Sequence, residues 1–223
     1  MESKRLFGIY GASGCGRGVM PVAAHMVGPS IAVDDELVFV DDKPLAGTVN
    51  GRAILTYEQF LATPAPHRAV CIAIADPRVR HTLADRCRSD GVGLFSVKAS
   101  NTVVMDEVRV GEGHILSPFV TLTSNIVIGR CFHANIYSYV EHDCNIGDFV
   151  TFAPAAKCNG NVVIEDHVYV GAGAIIKQGR PGRPLVIGAG AVIGMGAIVT
   201  KSVPPGAVVV GNPARPIKGS AIC

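Results

Sequence analysis

The chain has 223 residues, 48% of them apolar, and a formal net charge of +2. This length and apolar content suffice for a packed core, so they exclude disorder as the main state. Lys and Arg are scattered rather than clustered, which excludes the basic field that attracts nucleic acid, although small anionic ligands remain possible. No apolar run reaches the roughly 18 residues of a membrane span, and the N-terminal apolar run is too short for a signal peptide. We therefore expect a cytoplasmic enzyme with no membrane span.

The composition favours a repetitive β structure with reduced cysteines. The sequence contains 26 Gly, 14 Pro, 6% aromatic residues and no Trp, so its core must consist of small aliphatic side chains between many turns. The cysteines form an odd set with no CxxC pair and no zinc-ribbon spacing. We expect reduced, mostly buried thiols at Cys15, Cys71, Cys87, Cys131, Cys144, Cys158 and Cys223.

The first hundred residues alternate predicted strands with predicted helices. Buried strands are expected at residues 6–10, 36–41, 69–75 and 94–97. A glycine-rich turn is expected at residues 11–18, and helices at residues 19–26, 57–62 and 77–87. Three or four parallel strands with crossover helices are the economical arrangement. Residues 1–100 are therefore predicted to form an α/β domain.

From Val103 onward the helical pattern stops and a six-residue repeat begins. Twelve successive positions at this spacing are apolar: Val110, Leu116, Leu122, Ile128, Ala134, Val140, Ile146, Phe152, Cys158, Ile164, Val170 and Ile176. A short strand and a corner every six residues, three per coil, build a triangular solenoid whose aliphatic side chains stack between coils. Residues 101–223 are therefore predicted to form an all-β domain, a parallel β-helix of hexapeptide repeats.

The repeat is interrupted once. After Ile176 the pattern resumes one residue early, at Ile187, so residues 179–184 are predicted to form a loop outside the coil. Stacking alone explains the aliphatic and glycine positions of a purely structural solenoid. Any function must therefore come from the residues at its corners and interruptions.

Several motifs resemble those of the left-handed β-helix acyltransferases. They are Ile-Gly or Val-Gly pairs at residues 128–129, 146–147, 170–171, 187–188 and 193–194, VPPG at 203–206, and GNPA at 211–214. Residues 140–148, VEHDCNIGD, together with the N-terminal glycine turn, are similar to the family of sialic-acid O-acetyltransferases and bacillosamine and perosamine N-acetyltransferases. The resemblance implies a left-handed coil, a Rossmann-like sugar-nucleotide-binding domain at the N-terminus and a homotrimer. Residues 95–105 lack the His-Pro junction usual in that family.

One corner of the predicted coil carries a candidate catalytic pair. In amide formation a neutral amine attacks the thioester carbon, and a group with a pKa near neutrality can accept the proton it sheds. His142 follows the inward-facing Val140 by two residues and so falls in a corner, where Glu141 or Asp143 can orient its ring. The spacing equally fits a surface histidine. The resemblance implies that His142 is the base, or mainly a hydrogen-bond partner of the amine, and that Asp143 is its partner.

The turn after the first strand can present backbone N–H groups to an anion. The resemblance implies that it holds the phosphates of a sugar nucleotide through Gly11, Ser13, Gly14, Cys15, Gly16 and Arg17. Cys15 stands where the family usually has histidine. After the second strand, Asp41, Asp42 and Lys43 fit contacts to a ribose or base as well as they fit a solvated turn. Asn135 matches a substrate-contacting asparagine of the family, and otherwise fits an ordinary corner.

Acetyl-CoA is expected in a groove between neighbouring β-helices, with its pantetheine amides paired to backbone groups. The resemblance implies contacts to it from Thr151, Gly160, Gly171, Ala172 and Met195, although the glycines also fit plain corners. Basic residues of the loop 179–184 can meet the CoA phosphates. We expect no metal, because the histidine spacing does not match the zinc-binding β-helix carbonic anhydrases.

These features lead to one expected activity and two alternatives. The resemblance implies an acetyl-CoA-dependent N-acetyltransferase acting on the 4-amino group of a nucleotide-linked deoxysugar, of the GDP-perosamine or UDP-bacillosamine-precursor type, for surface glycan synthesis. A sugar O-acetyltransferase of the sialic-acid type is the nearest alternative. A non-catalytic scaffold that binds sugar nucleotides is the alternative from another class. The motifs do not distinguish UDP, GDP and CMP.

Overall fold

The computed structural model describes residues 5–27 and 36–217, so Cys223 lies outside the described residues. The N-terminal part alternates strands and helices: β1 Arg5–Tyr10, α1 Gly14–Val27, β2 Glu36–Val40, β3 Thr48–Val49, β4 Arg52–Leu55, α2 Tyr57–Ala62, β5 His67–Ile72, α3 Pro77–Ser89 and β6 Gly93–Leu94. These strands form one sheet in the order β3-β4-β2-β1-β5-β6. All neighbours run parallel except β3 and β4, which form an antiparallel hairpin. Parallel strands alternating with helices were predicted and are observed, but the sheet has six strands rather than three or four.

Several predictions in this part were wrong: the strand expected at residues 69–75 is β5 His67–Ile72, and the hairpin of β3 and β4 was not predicted. Helix α1 begins at Gly14, not at residue 19, because the backbone N–H of Arg17 already donates a helical bond to the Ser13 carbonyl at 2.9 Å. The glycines that suggested a long turn instead let the first helical turn pack closely on the strand before it. The predicted strand at residues 94–97 is two strands, since β6 belongs to the N-terminal sheet and Val97 to the coil.

The rest of the chain winds through three parallel sheets, the faces of a triangular prism. Face 1 contains β7 Val97–Lys98, β10 Ile115–Leu116, β13 His133–Ala134, β16 Thr151–Phe152, β19 Tyr169–Val170, β22 Val192–Ile193, β24 Val208–Val210 and the antiparallel β25 Arg215–Pro216. Face 2 contains β8 Val103–Val104, β11 Thr121–Leu122, β14 Tyr139–Val140, β17 Lys157–Cys158, β20 Ile175–Ile176 and β23 Ile198–Val199. Face 3 contains β9 Val108–Val110, β12 Ile126–Ile128, β15 Asn145–Ile146, β18 Val162–Ile164 and β21 Leu185–Ile187.

The register confirms the six-residue repeat and its 18-residue coil. Thr121 pairs with Tyr139, and Tyr139 pairs with Lys157, so equivalent residues of successive coils stack 18 positions apart. The aliphatic residues of the repeat fill the inside of the prism, where almost all of them are buried. The coil is thus held by stacked aliphatic side chains and by backbone hydrogen bonds between coils.

The predicted interruption also lies outside the coil. Arg180 and Arg183 bridge across a tight turn, while the N–H of Gly179 donates to the Gly160 carbonyl at 2.9 Å. Val162 pairs with Leu185 directly after the turn, so the extra residues protrude without breaking face 3. The loop therefore adds a basic projection to an otherwise regular solenoid.

The N-terminal part packs on face 1 of the coil. Ile115, His133 and Thr151 point outward from this face and are nevertheless buried, because the N-terminal part covers them. Arg80 of helix α3 is fully buried at the junction, and its guanidinium donates to the carbonyls of Cys131 and Phe149 on the coil at 3.0 and 2.7 Å. The end of the N-terminal sheet is thereby fixed against the middle coils of the prism.

Candidate active site

The edge between face 2 and face 3, called the His142 edge, carries the candidate catalytic pair. His142 Nδ1 lies 2.7 Å from Asp143 Oδ2, while Glu141 makes no hydrogen bond to the ring within the described residues. About half of each side chain is exposed, 54% for His142 and 49% for Asp143. The hydrogen bond that His142 donates to Asp143 raises the pKa of His142, and the charges of Asp143 and Glu141 act in the same direction. This geometry holds the Nδ1–H tautomer and leaves Nε2 as a proton acceptor.

Gly160 lies on the same edge, one coil after His142, and seats its ring. A Cβ at Gly160 would lie only 2.5 Å from Cε1 and 2.6 Å from Nε2 of His142. The imidazole therefore occupies the space that a side chain at position 160 would fill. Sequence reasoning predicted Gly160 as an acetyl-CoA contact, and the structure gives it this local role beside the histidine.

The glycine turn of the N-terminal part depends on two residues without side chains. Gly11 has a φ of 110°, which L side chains rarely adopt, and a Cβ at Gly16 would lie 1.7 Å from the Gly11 carbonyl oxygen. Asp41 fastens the turn, because its Oδ2 accepts from the Ala12 N–H at 3.1 Å and its Oδ1 from the Lys43 N–H at 3.0 Å. Ser13, Gly14 and Arg17 are exposed at the start of helix α1. The first turn of helix α1 therefore lies at an exposed surface.

Asp42 is already bonded to two side chains, Tyr10 and Arg86, that the sequence did not predict as its partners. Its Oδ2 accepts from the Tyr10 hydroxyl at 2.7 Å, and both of its oxygens lie within 3.2 Å of Arg86 Nη1. The Arg86 guanidinium also stacks on the Tyr57 ring at 4.1 Å. A ligand would therefore meet Asp42 as part of a preformed ion pair beside the exposed Lys43. No signal in the sequence links residues so far apart.

A cavity of about 280 Å³ joins the glycine turn to face 1 of the coil. Gly14 and Cys15 line one side of it, and Asn135, Thr151 and Ala153 line the other. Burial raises the pKa of Cys15, so this residue stays a neutral thiol at the cavity wall. The cavity thus brings together predicted substrate residues from both parts of the chain: Gly14 and Cys15 from the glycine turn, and Asn135 from the coil.

Comparisons with known proteins decide the family. No protein-family model matches the chain. A GDP-perosamine N-acetyltransferase of Escherichia coli O157:H7 is 52% identical over 96% of this chain and 97% of its own length. The chain belongs to the hexapeptide-repeat sugar N-acetyltransferases. The solved structure of WeeI from Acinetobacter baumannii AYE matches with a TM-score of 0.92 and 55% identity, over 96% of this chain and 100% of that one.

A second solved structure supports the same assignment. The acetyltransferase domain of PglB from Neisseria gonorrhoeae FA1090, in complex with acetyl coenzyme A, matches with a TM-score of 0.85 and 26% identity. The match covers 96% of this chain and 100% of that one. The architecture is that of the left-handed β-helix acetyltransferases, and this family member is an acyltransferase.

The residues predicted to contact acetyl-CoA divide between two edges of this N-acetyltransferase. Gly171, Ala172 and Met195 lie with Asn135 on the edge between faces 1 and 2, called the Asn135 edge, whereas Gly160 lies on the His142 edge. A Cβ at Gly171 would lie 2.6 Å from the Met195 N–H nitrogen, so close coil stacking explains this glycine. Met195 is 81% exposed. Within one chain the structure does not bring these residues to His142.

Thr151, also predicted to contact acetyl-CoA, lies on face 1 and lines the cavity beside Asn135. It is buried under the N-terminal part, where its hydroxyl donates to the Ala75 carbonyl at 2.9 Å and accepts from Arg80 at 2.9 Å. Its polar atom is thus already paired inside the chain.

A second cavity lies between the protruding loop and the next coil. Arg180 and Arg183 of the loop line it together with Lys177 and Lys201.

Three of the other histidines, His81, His133 and His167, form contacts inside the chain. His133 is buried, its Nε2 donates to the Ile72 carbonyl at 2.9 Å, and burial lowers its pKa well below the usual value. His81 Nδ1 pairs with His167 Nε2 at 2.8 Å at the junction of helix α3 with the coil.

In residues 5–27 and 36–217 no group of acidic, His and Cys side chains is arranged to hold a metal ion. The helices in those ranges are also too short or too polar to cross a membrane.

Replacing Gly160 by alanine is expected to lower kcat for acetyl transfer by about tenfold while the protein remains folded. The new Cβ would overlap the His142 ring, and this ring can move aside because it ends a flexible side chain. Steady-state kinetics and a denaturant midpoint measure the two effects. The control is Gly47→Ala, because a Cβ at Gly47 meets nothing within 4 Å. Equal kcat values for the two variants would contradict the seating role of Gly160.

Replacing Gly16 by alanine is expected to destabilise the protein by about 2–3 kcal/mol and to weaken binding of the nucleotide sugar. The clash is with the backbone oxygen of Gly11, which cannot move aside without opening the turn. Gly18→Ala is the matched control, since its Cβ meets nothing within 4 Å and alanine is the better helix former. Urea unfolding of both variants measures the difference. The prediction is wrong if Gly16→Ala is as stable as Gly18→Ala.

Proposed function

We propose that this protein is an acetyl-CoA-dependent N-acetyltransferase that acetylates the 4-amino group of GDP-perosamine. The observation that carries the proposal is the His142–Asp143 pair, whose geometry leaves His142 Nε2 free of hydrogen bonds within the described residues. The relative of Escherichia coli O157:H7, whose name states this substrate, supports it over nearly the whole chain. The protein would serve the synthesis of a surface glycan.

The proposed reaction is direct transfer without an acyl-enzyme. The neutral amine attacks the thioester carbon of acetyl-CoA, and a tetrahedral intermediate forms. His142 Nε2 removes the proton that the amine loses, and Asp143 stabilises the resulting imidazolium. The C–S bond then breaks, CoA leaves with a proton from the imidazolium, and the amide remains on the sugar. The proton taken from the amine thus leaves with CoA, and His142 returns to its neutral tautomer.

The two parts of the chain have separate proposed roles. Residues 1–100 would form a Rossmann-like domain whose glycine turn holds the diphosphate, with Asp41, Asp42 and Lys43 at the ribose or base. These residues lie at the carboxyl ends of β1 and β2, where parallel α/β sheets bind ligands. Residues 101–223 would form the β-helix domain that binds acetyl-CoA and carries the catalytic pair. The cavity between Cys15 and Asn135 would take the sugar.

We propose a homotrimer as the working unit. Met195 and the Asn135 cavity belong to one edge of the prism and His142 to another, so a neighbouring chain would have to complete each active site. Exposed apolar side chains favour an interface on the Asn135 edge, where Phe119 and Tyr137 stack in parallel with ring centroids 4.8 Å apart. These rings are 52% and 58% exposed in the single chain. Six free thiols in the described residues fit the reducing cytoplasm as its location.

The proposed substrate is tested with the full-length protein, acetyl-CoA and GDP-perosamine. Release of the CoA thiol, with a mass gain of one acetyl group on the nucleotide sugar, is the expected result. A UDP-linked 4-amino sugar tests which nucleotide the enzyme prefers. A GDP-linked sugar with a 4-hydroxyl group tests whether the acceptor atom is nitrogen or oxygen. Faster acetylation of the hydroxyl compound would overturn N-acetylation, and no binding of acetyl-CoA in calorimetry would favour a non-catalytic scaffold.

Replacing Asp143 by asparagine is expected to move the acid limb of the pH profile of kcat/KM to lower pH. Asp143 raises the pKa of His142, and only the neutral imidazole can accept a proton, so the wild-type limb lies above the ordinary value near 6.5. The amide in Asp143→Asn removes that anion, so the pKa of His142 falls. The maximum rate also falls, because an amide can hold the wrong tautomer. Glu141→Gln is the control, and it should shift the limb less, because Glu141 raises the pKa of His142 by its charge alone. An equal shift in both variants would contradict the assignment.

A further inference from the structure

Asp143 has a second partner besides His142. Asn125 lies one coil earlier on the His142 edge, and its Nδ2 donates to Asp143 Oδ1 at 3.4 Å, while Oδ2 of the same carboxylate accepts from His142 Nδ1 at 2.7 Å. The carboxylate thus bridges an amide and an imidazole through different oxygens. The backbone supports this alignment, because the Asp143 N–H donates to the Ser124 carbonyl at 3.1 Å.

The backbone conformation does not dictate an asparagine at position 125. Asn125 has a φ of 57°, in the left-handed region that favours glycine and asparagine. Equivalent corners of this coil nevertheless hold Cys131, Phe149 and Ala155 at φ values of 52°, 57° and 57°. The solenoid therefore accepts other side chains in this conformation. The amide of Asn125 is explained better by the carboxylate it contacts than by its own turn.

A neutral donor at this position suits the charges around His142. Glu141 and Asp143 are the carboxylates that act on His142 from its own corner, and Cys144 is the nearby thiol. The adjoining coils place Asn125 on one side and Gly160 on the other, and neither titrates. An amide donor can therefore fix the plane of Asp143 without adding charge to an already acidic corner. A fixed carboxylate in turn holds the Nδ1–H of His142.

We propose that Asn125 is a positioning residue for the reaction, which holds Asp143 so that His142 presents an unprotonated Nε2. The inference rests on the proposed role of His142 as the base. Asn125 does not touch the reacting atoms, and it acts through Asp143. Its loss should therefore affect the rate and the state of the imidazole more than substrate binding.

The first test replaces Asn125 by alanine. We expect kcat to fall about three- to tenfold, the effect of one hydrogen bond, with little change in either KM. Nitrogen chemical shifts of His142, in protein labelled at histidine, should show a smaller fraction of the Nδ1–H tautomer. Asn161→Ala is the matched control, because Asn161 has the same φ of 57° on the same edge and no side-chain hydrogen bond to His142 or Asp143 in the described residues.

The second test replaces Asn125 by aspartate, which removes the donor and places a carboxylate against Asp143. The added negative charge should raise the pKa of His142, so its NMR titration and the acid limb of kcat/KM should both move to higher pH. A His142 titration and tautomer unchanged from wild type in both variants would overturn the positioning role. The NMR readout needs no substrate, so a wild-type protein that fails to acetylate GDP-perosamine would count against the proposed function alone.

Discussion

Replacing His142 by asparagine is expected to lower kcat for N-acetylation by about 100-fold, with KM for both substrates nearly unchanged. A positioned general base contributes roughly 10²–10⁴ in rate. The lower end of that range applies because the amine of an amino sugar has a lower pKa than lysine, so part of it is already neutral near pH 7. Asparagine keeps a polar side chain of similar reach at the corner but cannot accept the proton.

The matched control for this prediction is His25→Asn, since His25 is an exposed histidine of helix α1 far from the pair in sequence. Its kcat should equal that of the wild type. Steady-state rates of thiol release, with unfolding midpoints for each variant, separate chemistry from stability. If the His142 variant keeps the full kcat, then His142 only holds the amine by a hydrogen bond. A complete loss of activity would instead favour a hydroxyl acceptor, which needs a base far more.

The contact between His142 and Asp143 could be predicted because its geometry is local. In a six-residue repeat, the position of the stacked Val140 determines that His142 falls in a corner, and the adjoining Asp143 can reach its ring. The same period places Asn125 one coil away from Asp143, so that contact was accessible from the sequence. The proposed role of Asn125 could not be predicted from the sequence, because asparagine is common at the corners of such a coil. Only the bond to the carboxylate distinguishes it.

Two features of the N-terminal part were not predicted, and only one of them had a signal in the sequence. The hairpin of β3 and β4 had a recognisable signal, since Asn50 and Gly51 both have positive φ, as a tight hairpin turn requires. The pairing of Asp42 with Arg86 had none, because it joins a strand end to a helix distant in sequence. Contacts of this kind depend on how the elements dock, which no local pattern encodes.

Arg80 is the clearest case of a residue that sequence reasoning could not place. An arginine in a helix rich in charged residues is normally exposed, yet Arg80 is completely buried. Within residues 5–27 and 36–217 no carboxylate bonds to it; instead it donates to backbone carbonyls of both parts of the chain and to Thr151. Burial lowers its pKa to about 10, so it remains charged near neutrality. The charge is solvated by backbone dipoles rather than by water.

Replacing Arg80 by methionine is therefore expected to destabilise the protein by about 4 kcal/mol, the largest stability effect we predict. Methionine fills part of the volume but donates no hydrogen bond. The carbonyls of Ile74 and Phe149, now bonded to Arg80 at 2.6 and 2.7 Å, would be left unsatisfied at a buried junction. Urea unfolding, followed by far-UV circular dichroism, measures the loss.

The control for this prediction is Arg78→Met, because Arg78 lies on the same helix and is exposed. Its effect should stay within about 0.5 kcal/mol. The Arg80 variant should also raise KM for the nucleotide sugar, since Ala75 next to the guanidinium lines the same cavity as Cys15 and Asn135. Near-equal stability of the two variants would mean that the junction repacks or admits water to its carbonyls. In that case Arg80 would not hold the glycine turn against the coil.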